Sequence, residues 1–325
     1  MNRHLFTLTF ATLCSIAGCA QVPAFRAALP SQIDTRDKAI AIIGDLQQTS
    51  AFVRAVRRRE DNAQPQQRLL ADLHSTADDL AALVIVGDLV FTARSKKDWA
   101  HFDDLISPLA ERIPVLPAMG NHDYPCFLVQ WCRSGKLSRG VAERFPWIAP
   151  GQAFSVSAGR IRLLFLDSES GLESQGAWLR EQLAAVAGDF AAALVFYHRP
   201  AFSNSIDKGA HGDEDVQRFI VPVLNTAALP TVAFAGHIHG YEHIIRDGVH
   251  HITTAGGGGP RGPMPAGSRQ DAYAGPDCVS EDGEVLRPFN YLLLRMTAQA
   301  LRIEVRGFCR GDPTVRLLDS IEVEL

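Results

Sequence analysis

With 325 residues, 46% of them hydrophobic and 21% charged, the chain is long and apolar enough to bury a sizeable core, in one large domain or two small ones. A formal net charge of -4, with Lys and Arg scattered rather than striped, excludes the electrostatic footprint of a nucleic-acid binder. A polyanionic substrate must therefore be held by local cations or by metals.

The chain starts weakly basic at Asn2-Arg3-His4, continues with an apolar run from Leu5 to Ile16 and then turns to small residues. This is the pattern of an export signal; the run is too short to span a bilayer. Within it, Ile16-Ala17-Gly18-Cys19 resembles the bacterial lipobox. The resemblance implies a signal peptide over residues 1–18, a lipidated mature N-terminus at Cys19, a tether over residues 19–36 and a folded domain over residues 37–325. With Ala20 rather than Asp after the Cys, it further implies an exported outer-membrane lipoprotein facing the periplasm, its contact with the membrane made through the anchor. Ordinary cleavage after Ala20 is the alternative. Of six cysteines, Cys14 and Cys19 belong to the export segment, which leaves Cys126, Cys132, Cys278 and Cys309, an even number in a chain bound for an oxidising compartment. Three pairings are possible; the short spacing favours Cys126 with Cys132 and hence Cys278 with Cys309. A cysteine metal site is disfavoured because paired C-x-x-C spacing is missing.

Lys38 to Ile43 reads as a buried strand that ends at Gly44-Asp45-Leu46-Gln47. The segment Ala51 to Leu80, rich in Arg, Gln, Ala and Leu, reads as helix interrupted near Pro65. Leu83 to Val86 is a second buried strand, ending at Gly87-Asp88. Trp99 to Leu109 fits a helix, and Ile113 to Met119 is a third strand, ending at Gly120-Asn121-His122-Asp123. Three strand–helix units in a row argue for a doubly wound α/β sheet. Tyr124 to Pro150 shows little periodicity and reads as an insertion over the site. Phe154–Val156 and Ile161–Leu166 suggest a hairpin, Gln175 to Val186 an amphipathic helix, and Ala193 to Tyr197 a strand that ends at His198. Thr231 to Ala235 is another strand, ending at Gly236-His237-Ile238-His239-Gly240. The strand Val249 to Thr254 leads into a Gly/Pro-rich stretch, Gly256 to Gly275. No helix follows it, so it reads as a flexible rim rather than a phosphate-cradling loop. Tyr291–Met296, Leu301–Val305 and Ile321–Leu325 are strand-sized and are expected to complete a second sheet.

Five strands therefore end in polar groups: Asp45 with Gln47, Asp88, Asn121 with His122 and Asp123, His198, and His237 with His239. Singly, each has an ordinary reading as a helix cap, a core histidine or a surface pair. Together, carboxylates, amide oxygens and imidazoles at the ends of apolar strands form the ligand set of a dinuclear site for Zn, Mn or Fe.

These blocks, with Gly-Asp, Gly-Asn-His-Asp and Gly-His-x-His in order between Ile40 and Tyr241, resemble the calcineurin-like metallophosphoesterases. The resemblance implies an α/β fold, a two-sheet β-sandwich flanked by helices, with its site at the strand ends. Carried over, Asp45 and His239 hold a first metal, Asp88 bridges, and Asn121, His198 and His237 hold a second. The implied activity is hydrolysis of small phosphate esters through a metal-activated hydroxide. Phosphomonoesters come foremost, with diesters or nucleotides as alternatives. His122 stabilises the transition state or protonates the leaving oxygen, and Asp123 orients and charges it. The cofactors are two divalent or mixed-valence ions, Fe, Mn, Zn or Mg.

Two departures qualify the resemblance. The family's usual His in the first block is here Gln47, a neutral and harder ligand that either shifts the first site away from Zn or merely hydrogen-bonds and leaves a weak first metal. Purple acid phosphatases resemble this chain but carry a ligand Tyr three residues after the bridging Asp, where Phe91 stands, so a colourless protein is expected. The reading from another class is a lipid-anchored binding or scaffold protein with a degenerate metal site. Arg199, Tyr241 and His243 neighbour ligands in sequence; packing is the preferred role for Tyr241, while Arg199 is open. His250 and His251 read as structural, and His211 sits in a polar loop without a supporting feature.

Overall fold

The computed structural model describes residues 25, 28–49, 54–56, 60–125, 136–186, 188–205, 212–261, 272–273, 278–279, 285–309 and 312–325. The export segment, Cys126, Cys132 and His211 lie outside these residues, as does the side chain of Cys278. Cys309 is disulfide-bonded.

In the first half, β1 (Gln32–Ile33) and β2 (Ala39–Ile43) precede α1 (Ala63–Ser75). Then come β3 (Leu80–Val86), α2 (Lys96–Ala110), β4 (Val115–Ala118) and the short α3 (Arg139–Arg144). The middle carries β5 (Phe154–Ala158), β6 (Ile161–Phe165), α4 (Leu172–Val186) and β7 (Ala192–Phe196). After α5 (Glu214–Phe219) and α6 (Val221–Leu224) come β8 (Thr231–Ala235), β9 (Tyr241–Arg246) and β10 (Val249–Thr254). Three two-residue strands follow, β11 (Ala272–Tyr273), β12 (Cys278–Val279) and β13 (Val285–Leu286). The long strands β14 (Phe289–Met296), β15 (Ala300–Cys309) and β16 (Asp312–Glu324) end the chain.

The architecture is two mixed sheets with helices on both outer faces. One sheet runs β16-β15-β14-β2-β3-β4 and the other β1-β5-β6-β7-β8-β10-β9-β11. Alternate residues of each strand divide between layers, as the period of two requires. Ile40, Ile42, Val84 and Leu116 face Leu163, Phe165, Leu194 and Val232 in the core between the sheets. The intervening Ala41, Ile43, Leu83 and Ile85 pack on Leu69, Leu73, Phe102 and Leu109 of α1 and α2. On the far side Leu164, Val195 and Ala233 pack on Leu179 and Leu183 of α4 and on Val216 and Val223. Burial on both faces is why these strands read as continuous apolar runs. A row of Phe154, Phe165, Phe196 and Phe234, paired in register across β5 to β8, stacks with centroids 4.5, 4.9 and 5.2 Å apart.

Three expectations need correction. The three strand–helix units do share one parallel sheet, β2-β3-β4, but it is not doubly wound: α1 and α2 cover one face and the second sheet covers the other. The C-terminal strands do not complete the second sheet; β14 pairs antiparallel with β2 through Leu292↔Ile42 and so extends the first. The helix expected over Ala51 to Leu80 stops at Ser75, and Leu80 already belongs to β3; the expected interruption is present, since residues 54–56 are helical, 60–62 are not, and Pro65 falls in the first turn of α1, where no N–H is needed. Of the segment read as an insertion over the site, the described part packs on α2. Arg144 lies over the Trp99 ring and is ion-paired to Asp103, and a Cβ at Gly140 would fall 2.1 Å from Trp99.

Candidate metal centre

The parallel strands β2, β3 and β4 of one sheet and β7 and β8 of the other end at the same place. Their carboxyl-end turns carry Asp45, Asp88, Asn121, His198 and His237, with His239 one turn further on. All of these except Asn121 are buried, Asp45 and His198 completely.

Ligand atoms of Asp88, His198 and His237 lie within 4.8 Å of one another, and so do those of Asp45, Asp88 and His239. Asp88 belongs to both groups, as expected of a bridging ligand. Asn121 joins the group of Asp88, His198 and His237, the second metal's, its Oδ1 3.2 Å from His198 Nε2; Asp45, Asp88 and His239 form the first. The histidines are preset for metal. His198 Nδ1 bonds the Val86 carbonyl at 2.9 Å and His239 Nδ1 bonds the Pro260 carbonyl at 2.7 Å, so each ring turns Nε2, the nitrogen a metal would take, towards the carboxylates. Asp45 Oδ1 is buried without a hydrogen-bond partner, a costly state that a cation would relieve. The donor set, the shared carboxylate and this orphaned oxygen fit two metal ions.

The backbone is strained where the ligands sit. Asp45, Asp88, His237 and His239 have φ of 57°, 53°, 75° and 52°, in the left-handed region that non-glycine residues avoid. The turns are also close-packed: a Cβ at Gly120 would lie 2.4 Å from the Asp88 carboxylate, and one at Gly87 2.3 Å from the His198 ring.

Charge follows the same geometry. Burial works against ionisation of Asp88, but His198 and His122 beside it prevail and hold its carboxyl well below the usual range. Burial likewise opposes the charged form of His198, yet Asp88 and Asp45 push it up to about 10. The centre is a pocket of negative field.

His122 lies next to this centre. Its backbone N–H donates to Asp88 Oδ1 at 2.9 Å and its Nδ1 contacts the Phe91 carbonyl at 2.7 Å. Asp123 does not orient His122, contrary to expectation. Its carboxylate accepts from the backbone N–H groups of Gly120, Asp88 and Leu89 at 2.8, 3.0 and 2.9 Å, so it ties the β3 and β4 turns together. Burial and the neighbouring Asp88 charge push its carboxyl well above the usual range. Gln47 does not hold an oxygen towards the first group: its Nε2 lies 3.1 Å from Asp88 Oδ2 and 2.8 Å from His239 Nε2.

The stretch Gly256–Arg261 is buried and is no flexible rim; residues 262–271 lie outside the description. Gly257 N–H donates to the Gly44 carbonyl and Gly259 N–H to that of Asp45, both at 3.0 Å, while Gln66 and Asn62 donate to the carbonyls of Gly257 and Gly259. Glycine allows these approaches, since a Cβ at Gly259 would fall 2.8 Å from the His239 ring. Other supports escape the sequence because they act through backbone or distant partners. Buried Arg287 donates to the Ile238 carbonyl between the two loop histidines and to Ser205 Oγ at 2.7 Å. Arg199 pairs with Glu169 at 2.6 Å, and its Nη1 is 3.4 Å from His237 Nε2. Arg199, His237, Pro200, Gly212 and Asp213 line a cavity of about 300 Å³ beside the centre. Tyr241 is buried, with its hydroxyl on Asp319, a packing role as expected.

The family model described as calcineurin-like phosphoesterase matches residues 38–241, which include every ligand named above. The chain belongs to that family. Among curated relatives, purple acid phosphatase 22 of Arabidopsis thaliana is 25% identical over 209 residues, covering 58% of this chain and 46% of the relative. A probable inactive purple acid phosphatase 9 of the same plant is 23% identical over 232 residues, 62% of this chain and 36% of the relative. The chain thus spans about half the length, or less, of the curated relatives it matches. Among solved structures, the yellow lupin (Lupinus luteus) purple acid phosphatase PPD1 superposes with a TM-score of 0.66 at 18% identity, covering 88% of this chain and 53% of that one. GAP50 of Plasmodium, described as the anchor in the inner membrane complex, gives 0.58 at 14% identity over 87% and 88%. At such identities the structures show the metallophosphoesterase fold.

Proposed function

We propose that this family member is a metal-dependent phosphoesterase that hydrolyses small phosphate monoesters. The observation that carries the reading is the Asp88 carboxylate shared between two ligand groups at the meeting point of five strand ends. Bound divalent cations would clamp the phosphate oxygens and lower the pKa of an attacking water. The chain's own residues do the rest. Asp88 lies between the two groups, Asp45 and His239 complete one, and Asn121, His198 and His237 complete the other. His122, oriented by its Nδ1 contact with the Phe91 carbonyl, passes a proton from Nε2 to the leaving oxygen in its imidazolium form. Arg199, steered by Glu169, lies at the rim of the adjacent cavity, where a small leaving group fits.

The test is turnover of p-nitrophenyl phosphate by metal-stripped protein resupplied with Mn, Fe, Zn or Mg. Turnover that depends on metal and collapses in Asn121→Ala and His237→Ala supports the reading; turnover that both variants retain overturns it. The hydrogen-bonded Gln47 gives one specific reason for a second reading, a scaffold with a degenerate centre. One retained ion without turnover would favour it. The outer-membrane anchor at Cys19 belongs to the same proposal. It is checked by radiolabelled palmitate incorporation that Cys19→Ala abolishes.

A further inference from the structure

We propose that the Gln47 side-chain amide stands in for the first cation, holding that ligand group together in the metal-free protein and giving way when the ion binds. The inference rests on the metal-centre reading above and concerns the strength of loading rather than the reaction.

Gln47 is 1% exposed, two residues beyond ligand Asp45. Its Nε2 reaches two of the three partners of the first group, 3.1 Å from Asp88 Oδ2 and 2.8 Å from His239 Nε2. The tautomer of His239 settles which way the amide faces. Nδ1 is engaged by the Pro260 carbonyl, so Nε2 is a lone pair and needs a donor. The reverse orientation would set Oε1 against that lone pair and against the Asp88 carboxylate, which is repulsive. The two amide N–H groups therefore satisfy the same electron pairs that a cation would use. The cost shows in the atoms left over: Gln47 Oε1 and the third partner's Asp45 Oδ1 are both buried without a hydrogen bond, and Asp45 Oδ1 is only 3.3 Å from His239 Nε2.

The second group is built otherwise. Its close contacts run between the ligands themselves, His198 Nε2 to Asn121 Oδ1 and to His237 Nδ1, each at 3.2 Å. An ion entering there replaces contacts among its own ligands. An ion entering the first group must break two amide hydrogen bonds, and only after a half-turn of the amide would Oε1 face it. The two sites are accordingly unequal, the first alone having a side-chain amide as competitor for the ion.

The experiment is calorimetric titration of the metal-free, full-length protein with Mn²⁺, with ion content measured after desalting. Wild type shows two steps, the weaker of which Asp45→Asn removes. In Gln47→Ala, and in the milder Gln47→Ser should the first fail to fold, the weaker step tightens by about tenfold, the scale of losing one or two competing hydrogen bonds. The metal-free variant melts earlier than wild type while the loaded one does not, a split that a purely structural role would not give. Two equal steps in wild type, or a weaker step that is unchanged or loosened by both substitutions, overturns the proposal. A check that needs no variant is side-chain amide exchange of Gln47 by NMR: protection lost on saturation with Zn²⁺ supports the proposal, and protection retained overturns it. Turnover of p-nitrophenyl phosphate in the same samples tests the catalytic reading separately.

Discussion

The two halves of the centre share Asp88 but are supported from different depths of the fold. The second half is fixed by strand ends. His198 hangs from the Val86 carbonyl of β3 across the junction of the two sheets, and Asn121 follows β4 through one turn pinned by Asp123. The first half needs chain from much further along. His239 is oriented by the Pro260 carbonyl, Asp45 receives the Gly259 N–H, and Asn62 and Gln66 hold that glycine stretch in place. The difference teaches that one ligand group comes with the sheets, whereas the other closes only when a late loop packs beneath it.

That asymmetry can be attacked at several points. The strongest blow removes what both halves share: Asp88→Asn should leave no measurable turnover and release both ions, read by ion content. Next, His122→Ala should keep both ions yet slow turnover by about 10²–10⁴-fold, the usual worth of a positioned proton donor. A result that also empties the centre would place His122 among the ligands. Gly259→Ala should discriminate the halves, weakening only the first ion by about 10–100-fold, because the new Cβ would displace the His239 ring. Calorimetry showing both ions weakened equally would dissolve the distinction drawn above.

The smallest effect lies outside the centre. His251 on β10 is buried against Phe202, and burial, with Arg246 and two further histidines near, lowers it from 6.5 to about 4. The folded ring stays neutral while the unfolded one takes a proton, so stability falls as pH drops from about 6.5 towards 4. At pH 5 the loss is about 2 kcal/mol, a few degrees in Tm, and His251→Phe should flatten it. Metal-loaded protein whose acid sensitivity is untouched by His251→Phe would move the cause elsewhere.

Most of the ligand set was legible because buried parallel strands write themselves as apolar runs, and a polar residue just after such a run has only one place to be. Strand partners were not, because alternation fixes which face a residue takes and says nothing of which strand lies beside it; hence β14–β16 were assigned to the wrong sheet. Gly256–Gly259 was misread because loop and cradle share a composition, and only the approach of Gly44, Asp45 and His239 distinguishes them. Asp123 was given the wrong partner for a geometric reason. Asn121–Asp123 is a 3-10 turn, in which successive side chains point about 120° apart, so neighbours in sequence diverge in space. The Phe91 and Pro260 carbonyls could not be read at all, since every residue has a carbonyl.

The left-handed backbone at Asp45, Asp88, His237 and His239 bears on how variants of this centre should be interpreted. Alanine at those positions confounds two losses, because it deletes a ligand and also enters the left-handed region less readily than Asp or His, adding part of the roughly 1–2 kcal/mol that an ordinary residue pays there and that Asn and Gly tolerate better. Asparagine at the two aspartates and glycine at the two histidines are the cleaner probes. An alanine scan alone would make these four positions look more important to folding than the ions they are placed to hold.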